Sequence, residues 1–222
     1  MIRAILLGAL LLRSSGCSYP PENGTFPRQP AAADQAPNRA TNPANLRAID
    51  SAILLLEDGD LALRTGADAT SHMLRRMNQK NKTFSHCGVV AIEGGEAFVY
   101  HSIGGEDNPD ARMRRDPARV FYSPVSNSGL GIVRLDMNAA QKTVLLQNIR
   151  RYHAEARTFD MDFDLSTDTA LYCAEAVCKA VESAAADTAF FPRSYIKAFR
   201  YVAVDALYEN RHAARICTIR FR

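Results

Sequence analysis

The sequence predicts an α+β fold in which an antiparallel sheet packs against helices. Strand-like runs come before and after helix-like runs, without the strand–helix–strand rhythm of a parallel sheet. The clearest strand signal is a hairpin in which two β-rich runs flank Gly94-Gly95, because a glycine pair tolerates the positive φ angles of a two-residue turn. Hydrophobic residues make up 47% of the 222 residues, which is enough for the core of one domain of moderate size.

Each further element follows from its local pattern. Apolar residues at helical spacing behind a polar cap predict helices, and alternating or β-rich runs predict strands. In chain order, we predict a helix over 45–58, a strand over 59–66, a helix over 70–81 capped by Thr70 or Ser71, the hairpin over 85–102, a strand over 131–136, a helix over 138–156 capped by Asn138, a helix around Cys173, a helix over 195–208 and a closing strand over 214–221.

The N-terminus predicts export from the cytoplasm. Residues 1–17 contain Arg3 and an apolar run, Ala4 to Leu12, that is too short to span a bilayer and has the proportions of a signal peptide. The small residues before Cys17 resemble a bacterial lipobox, in which the cysteine is acylated and becomes the mature N-terminus. Ser14 departs from that pattern, and ordinary secretory cleavage nearby is the alternative. A lipid on Cys17 would anchor a periplasmic protein to the membrane.

Residues 18–45 predict a disordered tether, because their six prolines and very few large apolar side chains cannot form a core. The folded domain is then expected over residues 46–222. Within it, the polar segment 103–120 is predicted to be a long surface loop, of the kind that often shapes access to a site. The net charge of +3 is small and the basic residues form no stripe, so we expect no nucleic-acid partner.

Two histidines are predicted to converge on one face of the hairpin. If Gly94-Gly95 form a two-residue turn, His101 lies across from Gly88. His86 points to the same face as Gly88, about 7–8 Å from His101 between Cα atoms, a gap that two ring side chains can close. Cys87 points to the opposite face. Two unrelated surface histidines are the alternative, but their placement beside a glycine favours a site.

Four cysteines follow Cys17, and an even number in an exported protein allows two disulfides: Cys87, Cys173, Cys178 and Cys217. A thiol becomes a good nucleophile when a helix N-terminus and a nearby imidazole stabilise its thiolate. Cys173 meets the first condition if its helix begins within 171–173, whereas a cap at Asp168 would place it beyond the first turn. Cys178 lies about 140° around the helix from Cys173. Like Cys217 on the last strand, it is predicted to lie in the core.

Four motifs occur in the order and spacing of a known family: DGDLALRTG, FSHCGVVAI, FVYHS and FDLSTDTALYCAEAV. On these motifs, residues 54–182 resemble the circularly permuted NlpC/P60 papain-like hydrolases, and most closely the YiiX/YaeF-type permuted amidases. The resemblance implies a permuted papain-like fold. In that family a cysteine lies at a helix N-terminus, a histidine comes from the adjacent sheet, and a third polar residue orients the histidine.

Carried onto this sequence, the resemblance implies Cys173 as the nucleophile, His86 as the general base and His101 as the residue that orients His86. The implied reaction cleaves an amide or ester bond through an acyl-enzyme on Cys173. Tyr172 and Glu175 flank the nucleophile and are candidate substrate, oxyanion or packing contacts. No cofactor or metal is implied. The candidate substrates are a peptidoglycan stem peptide and a lipid or other acyl compound, and the expected envelope location makes the cell-wall peptide the leading candidate by availability.

The sequence departs from the family pattern at three positions. His101 stands where the family often has glutamate, Ala174 replaces a common serine, and Cys87 directly follows the histidine. Three other interpretations stay open. Two histidines and Cys173 form a possible zinc set, Cys173 could instead belong to a structural disulfide, and the protein could be a non-catalytic envelope lipoprotein that binds a ligand.

Overall fold

Eight strands build two sheets. In the computed structural model, which describes residues 38–105, 108 and 110–222, they are β1 (Leu61–Gly66), β2 (His86–Glu93), β3 (Glu96–His101), β4 (Arg114–Pro117), β5 (Asn127–Leu135), β6 (Ser194–Ile196), β7 (Phe199–Tyr201) and β8 (Ala213–Arg220). Six of them form one antiparallel sheet in the order β4-β3-β2-β1-β5-β8, and β6 pairs with β7. The predicted α+β class with an antiparallel sheet is confirmed. The predicted export signal, with Cys17, lies outside the described residues.

Five α-helices accompany the sheet in the described part of the chain: α1 (Pro43–Ile53), α2 (Ala69–Met77), α3 (Ala118–Phe121), α4 (Ala139–Ala154) and α5 (Cys173–Ala185). The predicted cap of α4 is confirmed, because Asn138 and Gln141 bond each other's backbone N–H at 2.9 Å in a capping box. The predicted cap of α2 is wrong. Asp68 is the cap and accepts the Ser71 N–H at 2.8 Å.

Both faces of the sheet are covered by apolar packing. Leu61, Leu63 and Val89 belong to the core cluster that includes residues of α4 and α5. Ala62 and Val90 point the other way, into a second cluster with residues of α1 and α3. Because successive strand residues alternate between faces, one strand contributes to both cores. The central strands therefore carry almost no polar face, and polar side chains are confined to their ends.

The hairpin between β2 and β3 has the predicted register. Glu93 pairs with Glu96 across the turn, and Gly94 and Gly95 have φ angles of 60° and 87°. A Cβ added at Gly88 would lie 2.9 Å from the His101 Cβ and 2.7 Å from the Tyr100 carbonyl oxygen. Glycine at this position therefore allows the His101 side chain to lie directly against the backbone of β2.

The predicted helix over 195–208 is wrong. The segment forms the β6–β7 ribbon, followed by a short 3₁₀ helix, Val204–Leu207. Lys197 adopts a φ of 55° in the tight turn, which a continuous helix cannot contain. Aromatic and β-branched residues around it, Tyr195, Ile196 and Phe199, favour extended backbone.

The predicted surface loop over 103–120 is wrong in part, because Arg114–Pro117 form a strand. This strand, β4, is the edge strand that pairs with β3. Elsewhere, buried Asp60 accepts two hydrogen bonds at 2.9 Å from Arg134 on β5, so this aspartate shapes the entry to β1. None of the helices in the described ranges is long and apolar enough to cross a membrane.

Candidate active site

His86 and His101 meet at the ends of β2 and β3, as the hairpin register predicts. The Nε2 atom of His86 lies 2.9 Å from the Nδ1 atom of His101, and the two rings cross at 83°. Both side chains are buried, and both rings contact Phe121 of α3. The two histidines therefore lie on the sheet face that packs against α1 and α3.

A carboxylate that the sequence analysis missed completes this arrangement. Asp116 Oδ2 lies 3.0 Å from His101 Nε2, and Arg114 donates to Asp116 Oδ1 at 2.9 Å. Asp116 reaches this position because β4 pairs with β3, with Asp116 opposite Val99 and Arg114 opposite His101. The β4 sequence, RRDP, has no apolar alternation, so no strand signal points to it.

The carboxylate sets the direction of every hydrogen bond in the chain of three groups. Asp116 is an acceptor when ionised, so His101 carries its proton on Nε2 and presents a lone pair on Nδ1. His86 then donates from Nε2 to His101 Nδ1. The remaining nitrogen of neutral His86, Nδ1, keeps its lone pair and is the atom that can accept a proton.

The electrostatics of the three groups agree with this assignment. Burial lowers the pKa of His86 well below its usual range, with the Arg64 charge adding to the effect. Burial also lowers the pKa of His101 to about 4, although its hydrogen bond to Asp116 acts in the opposite direction. Burial raises the pKa of Asp116, but hydrogen bonds from His101 and Arg114 outweigh it and hold this pKa at about 2. At neutral pH both rings are neutral and the carboxylate is charged.

Cys173 is the first residue of α5, and Tyr172 is the N-cap. The predicted helix start within 171–173 is confirmed, and the alternative cap at Asp168 is wrong. The N–H groups of a first helical turn have no acceptor within the helix, so they are available to stabilise negative charge. The thiol therefore lies where a thiolate is favoured.

The thiol of Cys173 packs against Cys87. A hydrogen bond from the Cys87 thiol lowers the pKa of Cys173, and the N–H groups of Ala174 and Cys87 and the Arg64 charge also lower it, against the opposing effect of burial. Burial and the neighbouring Cys173 raise the pKa of Cys87 well above its usual range. Within this pair, Cys173 is the thiol that ionises more readily.

Cys87 points away from the two histidines, as predicted. It interacts instead with the candidate nucleophile, Cys173. Cys173 reaches the start of β2 from the α4–α5 side, whereas His86 lies on the other face. No hydrogen bond joins Cys173 to His86 within the described residues. Arg64 lies opposite His86 in the β1–β2 pairing. Its charge acts on both faces of the sheet, because it lowers the pKa of the two histidines and the pKa of Cys173.

Tyr172 and Glu175 have structural positions. The Tyr172 hydroxyl accepts the Val202 N–H at 2.7 Å, which holds the segment after β7 against the start of α5. Glu175 is fully buried, and its carboxylate contacts the Tyr172 N–H at 3.3 Å and Lys179 Nζ at 2.9 Å. Of the roles considered for Glu175, the structure supports packing and not substrate contact. Burial raises its pKa to about 7.

An apolar cleft leads to Cys173. Its cavity volume is about 20 Å³, within about 340 Å³ of space between atoms that includes the open mouth. Its walls are mainly apolar and aromatic side chains: Leu74, Met77, Phe159, Phe163, Tyr172, Tyr201, Val202 and Val204. No charged side chain lines it among the residues that the structure describes. The polar groups that reach it besides Cys173 are Asn78 and Ser85, the residue before His86.

The four described cysteines are free thiols. Cys178 is buried in the α4–α5 cluster, which confirms its predicted core position. Cys217 on β8 is only half-buried against the second cluster, so its predicted core position is confirmed in part. Cys173 is the cysteine that reaches the cleft.

The donor atoms of the site do not converge on a metal position in the described residues. Within residues 38–105, 108 and 110–222, no three His, Cys, Asp or Glu side chains are placed to hold a metal ion. His86 Nε2 and His101 Nδ1 face each other in a hydrogen bond, and His101 Nε2 is bonded to Asp116. These nitrogens therefore do not point at a common centre, and the residues do not fit the His₂Cys zinc set considered from the sequence.

No family model matches this chain, and no curated protein matches it. Among solved structures, the chain is similar to a crystal structure described as the metalloprotein YiiX from Escherichia coli O157:H7. The two sequences are 15% identical, the TM-score is 0.60, and the match covers 73% of this chain and 97% of that chain. At this identity the similarity shows a shared fold. The resemblance to YiiX suggested by the sequence motifs is confirmed at that level.

Proposed function

We propose that this protein is a thiol hydrolase of the circularly permuted NlpC/P60 papain-like type, with Cys173 as its nucleophile. The observation that carries the proposal is the oriented chain Asp116–His101–His86 at the start of β2, together with a cysteine at a helix start, packed at Cys87 of the same strand, whose thiolate is favoured. A base whose tautomer is fixed by a third group and a thiol at a helix start are the groups that acyl transfer requires.

In the proposed reaction the sulfur of Cys173 attacks the carbonyl carbon of an amide or ester. The Cys173 backbone N–H, at the start of α5, stabilises the oxyanion. His86 Nδ1 accepts the thiol proton and delivers it to the leaving group, and water then hydrolyses the acyl-enzyme with His86 as base. In the resting protein Cys173 is held by Cys87, so the proposal requires its side chain to exchange this partner for His86 when substrate binds.

The walls of the cleft favour one of the two substrate classes. A peptidoglycan stem peptide carries several carboxylates, which an apolar cleft would have to desolvate without a cationic partner. An apolar acyl group would instead bury its carbon chain against Phe159, Phe163 and Val202, with its carbonyl at Cys173. Because the cavity volume is about 20 Å³, this binding requires the side chains of the cleft to move apart. We therefore favour a lipid or other acyl compound as the substrate.

Two alternatives are less well supported. YiiX is described as a metalloprotein, but here the ring nitrogens of His86 and His101 are bonded to each other and to Asp116. A non-catalytic binding protein would use the cleft, yet it has no need of a carboxylate that orients a histidine pair. We further propose that the protein is exported and acts in the cell envelope, with the lipobox-like Cys17 as its membrane anchor.

Hydrolysis of p-nitrophenyl esters by the full chain tests the proposal. We expect turnover that increases from the acetyl to the octanoyl ester, and its loss in Cys173→Ala. Cys178→Ala is the matched control, because Cys178 is a buried thiol on the same helix and lies outside the cleft. Turnover that survives in Cys173→Ala, or no acyl-thioester on Cys173 in wild type, would overturn the proposed function.

A further inference from the structure

Cys87 is a second thiol at the candidate site that the proposed hydrolysis does not use. It is fully buried in β2, directly after His86, and it belongs to the same core cluster as Cys173, at the contact between β2 and α5. Its thiol and its backbone N–H both act on the pKa of the Cys173 thiol.

The two thiols differ in access. Cys173 lines the cleft, and no other cysteine in the described part of the chain does. Cys87 has no solvent-exposed surface. A small oxidant that enters the cleft therefore meets the thiolate of Cys173 first, and Cys87 can react only with its neighbour.

We propose that Cys87 is a resolving thiol, which traps an oxidised Cys173 as a reversible Cys87–Cys173 disulfide and protects the nucleophile from permanent oxidation. The proposal rests on the proposed function, because it takes Cys173 as the reactive thiolate. It adds a reversible modification site and a redox control that hydrolysis alone does not require.

The oxidant is a peroxide, and the steps balance. The Cys173 thiolate attacks one peroxide oxygen, so that an S–O bond forms, the O–O bond breaks and the leaving hydroxide takes up a proton as water. This two-electron oxidation gives a sulfenic acid. The Cys87 sulfur then attacks the Cys173 sulfur, so that the S–S bond forms and the S–O bond breaks, and hydroxide leaves with the Cys87 proton as water. A dithiol returns two electrons and two protons and restores both thiols.

The other cysteines are poorly placed for this role. Cys178 lies five positions along α5, about 140° around the helix from Cys173. Its sulfur accepts a hydrogen bond from Arg193 at 3.4 Å. Cys217 lies on β8 and packs against the core cluster on the opposite face of the sheet from α5. The geometry therefore selects Cys87 as the partner.

The test treats the full chain with a small excess of hydrogen peroxide and maps the products by intact mass and peptide mass spectrometry. In wild type and in the matched control Cys178→Ala, we expect a loss of two hydrogens, a cross-linked peptide pair containing Cys87 and Cys173, and recovery of Cys173 labelling after dithiothreitol. In Cys87→Ala we expect sulfinic or sulfonic acid on Cys173 and about a tenfold lower recovery of labelling.

Each other outcome overturns the proposal. Sulfinic acid on Cys173 of the wild type without a disulfide excludes resolution by Cys87. A disulfide between Cys173 and Cys178 would show that Cys178, and not Cys87, is the resolving thiol. These results leave the proposed hydrolase intact if Cys173 still reacts with iodoacetamide. A Cys173 that reacts with neither reagent overturns both proposals. If Cys87→Ala fails to fold, the wild-type disulfide map decides alone.

Discussion

His86 donates a hydrogen bond to His101, from Nε2 to Nδ1 over 2.9 Å, and the direction of this bond is set by a third residue. Because Asp116 accepts from His101 Nε2 at 3.0 Å, His101 has only its Nδ1 lone pair left to offer. The consequence is a defined basic atom, Nδ1 of His86. Several predictions about activity depend on this relay.

Asp116→Asn is expected to lower kcat for ester hydrolysis by about 10- to 100-fold, in the range found for groups that orient another functional residue. The amide can donate to His101 Nε2, which reverses the tautomer of His101 and removes the acceptor of His86. Steady-state kinetics with the octanoyl ester measure the effect. Asp110→Asn is the control, because Asp110 is an exposed aspartate of the same segment. Equal kcat values for the two variants would contradict the relay.

His86→Ala is expected to lower kcat/KM by at least about 100-fold, because general base catalysis contributes about that much or more. His72→Ala on α2 should leave it unchanged, since His72 lies on a helix without buried residues. The comparison requires the same ester and a circular dichroism spectrum like that of wild type. A His86→Ala variant that retains more than half of the activity would remove His86 from the reaction.

Arg64→Gln is expected to slow alkylation of Cys173 several-fold near pH 7. The Arg64 guanidinium lowers the pKa of Cys173, so its loss moves thiolate formation to higher pH. The measurement is the rate of iodoacetamide labelling of Cys173 as a function of pH. Arg47→Gln on the exposed face of α1 serves as the control. An unchanged profile in Arg64→Gln would show that this charge does not reach the thiol.

The free energy of unfolding of Glu175→Gln, relative to that of wild type, is expected to increase as pH rises. The pKa of Glu175 is raised to about 7 in the folded state, so the folded state binds its proton more tightly than the unfolded state. Stability from this group is fully present below the unfolded pKa of about 4.3 and is lost as pH rises through about 7. Relative to wild type, Glu175→Gln should therefore gain on the order of 2–3 kcal/mol between about pH 4 and about pH 8.

Urea unfolding at these two pH values measures the difference in free energy of unfolding. Glu155→Gln, at the exposed C-cap of α4, provides the comparison, for which no such gain is expected. If Glu175→Gln is equally destabilised at both pH values, the pairing with Lys179 dominates over the burial of the carboxylate.

Local patterns in the sequence predict the hairpin and its consequences well. A two-residue turn and a side-chain period of two are enough to place His86 and His101 on one face. This placement depends only on residues that are close in sequence. The start of α5 stayed open between residues 171–173 and a cap at Asp168 until the structure placed the cap at Tyr172.

The missed features depend on contacts between distant segments. Asp116 lies on an edge strand without apolar alternation, so only the pairing of β4 with β3 brings it to His101. The contact of Cys87 with Cys173 depends on how α5 packs on β2, which no local pattern specifies. The β6–β7 ribbon was missed because aromatic and basic residues in 195–201 fit a helix as well as a short ribbon by spacing alone.

The pH dependence of iodoacetamide alkylation of the full chain, with the labelled cysteine identified by mass spectrometry, tests the central claim most directly. We expect Cys173 to be labelled far ahead of Cys87, Cys178 and Cys217, with half-maximal rate at a pH below the value of about 8.5 that is typical of a free thiol. Labelling of Cys173 that begins only at or above that pH, at the rate of the other cysteines, would contradict an activated nucleophile at the start of α5.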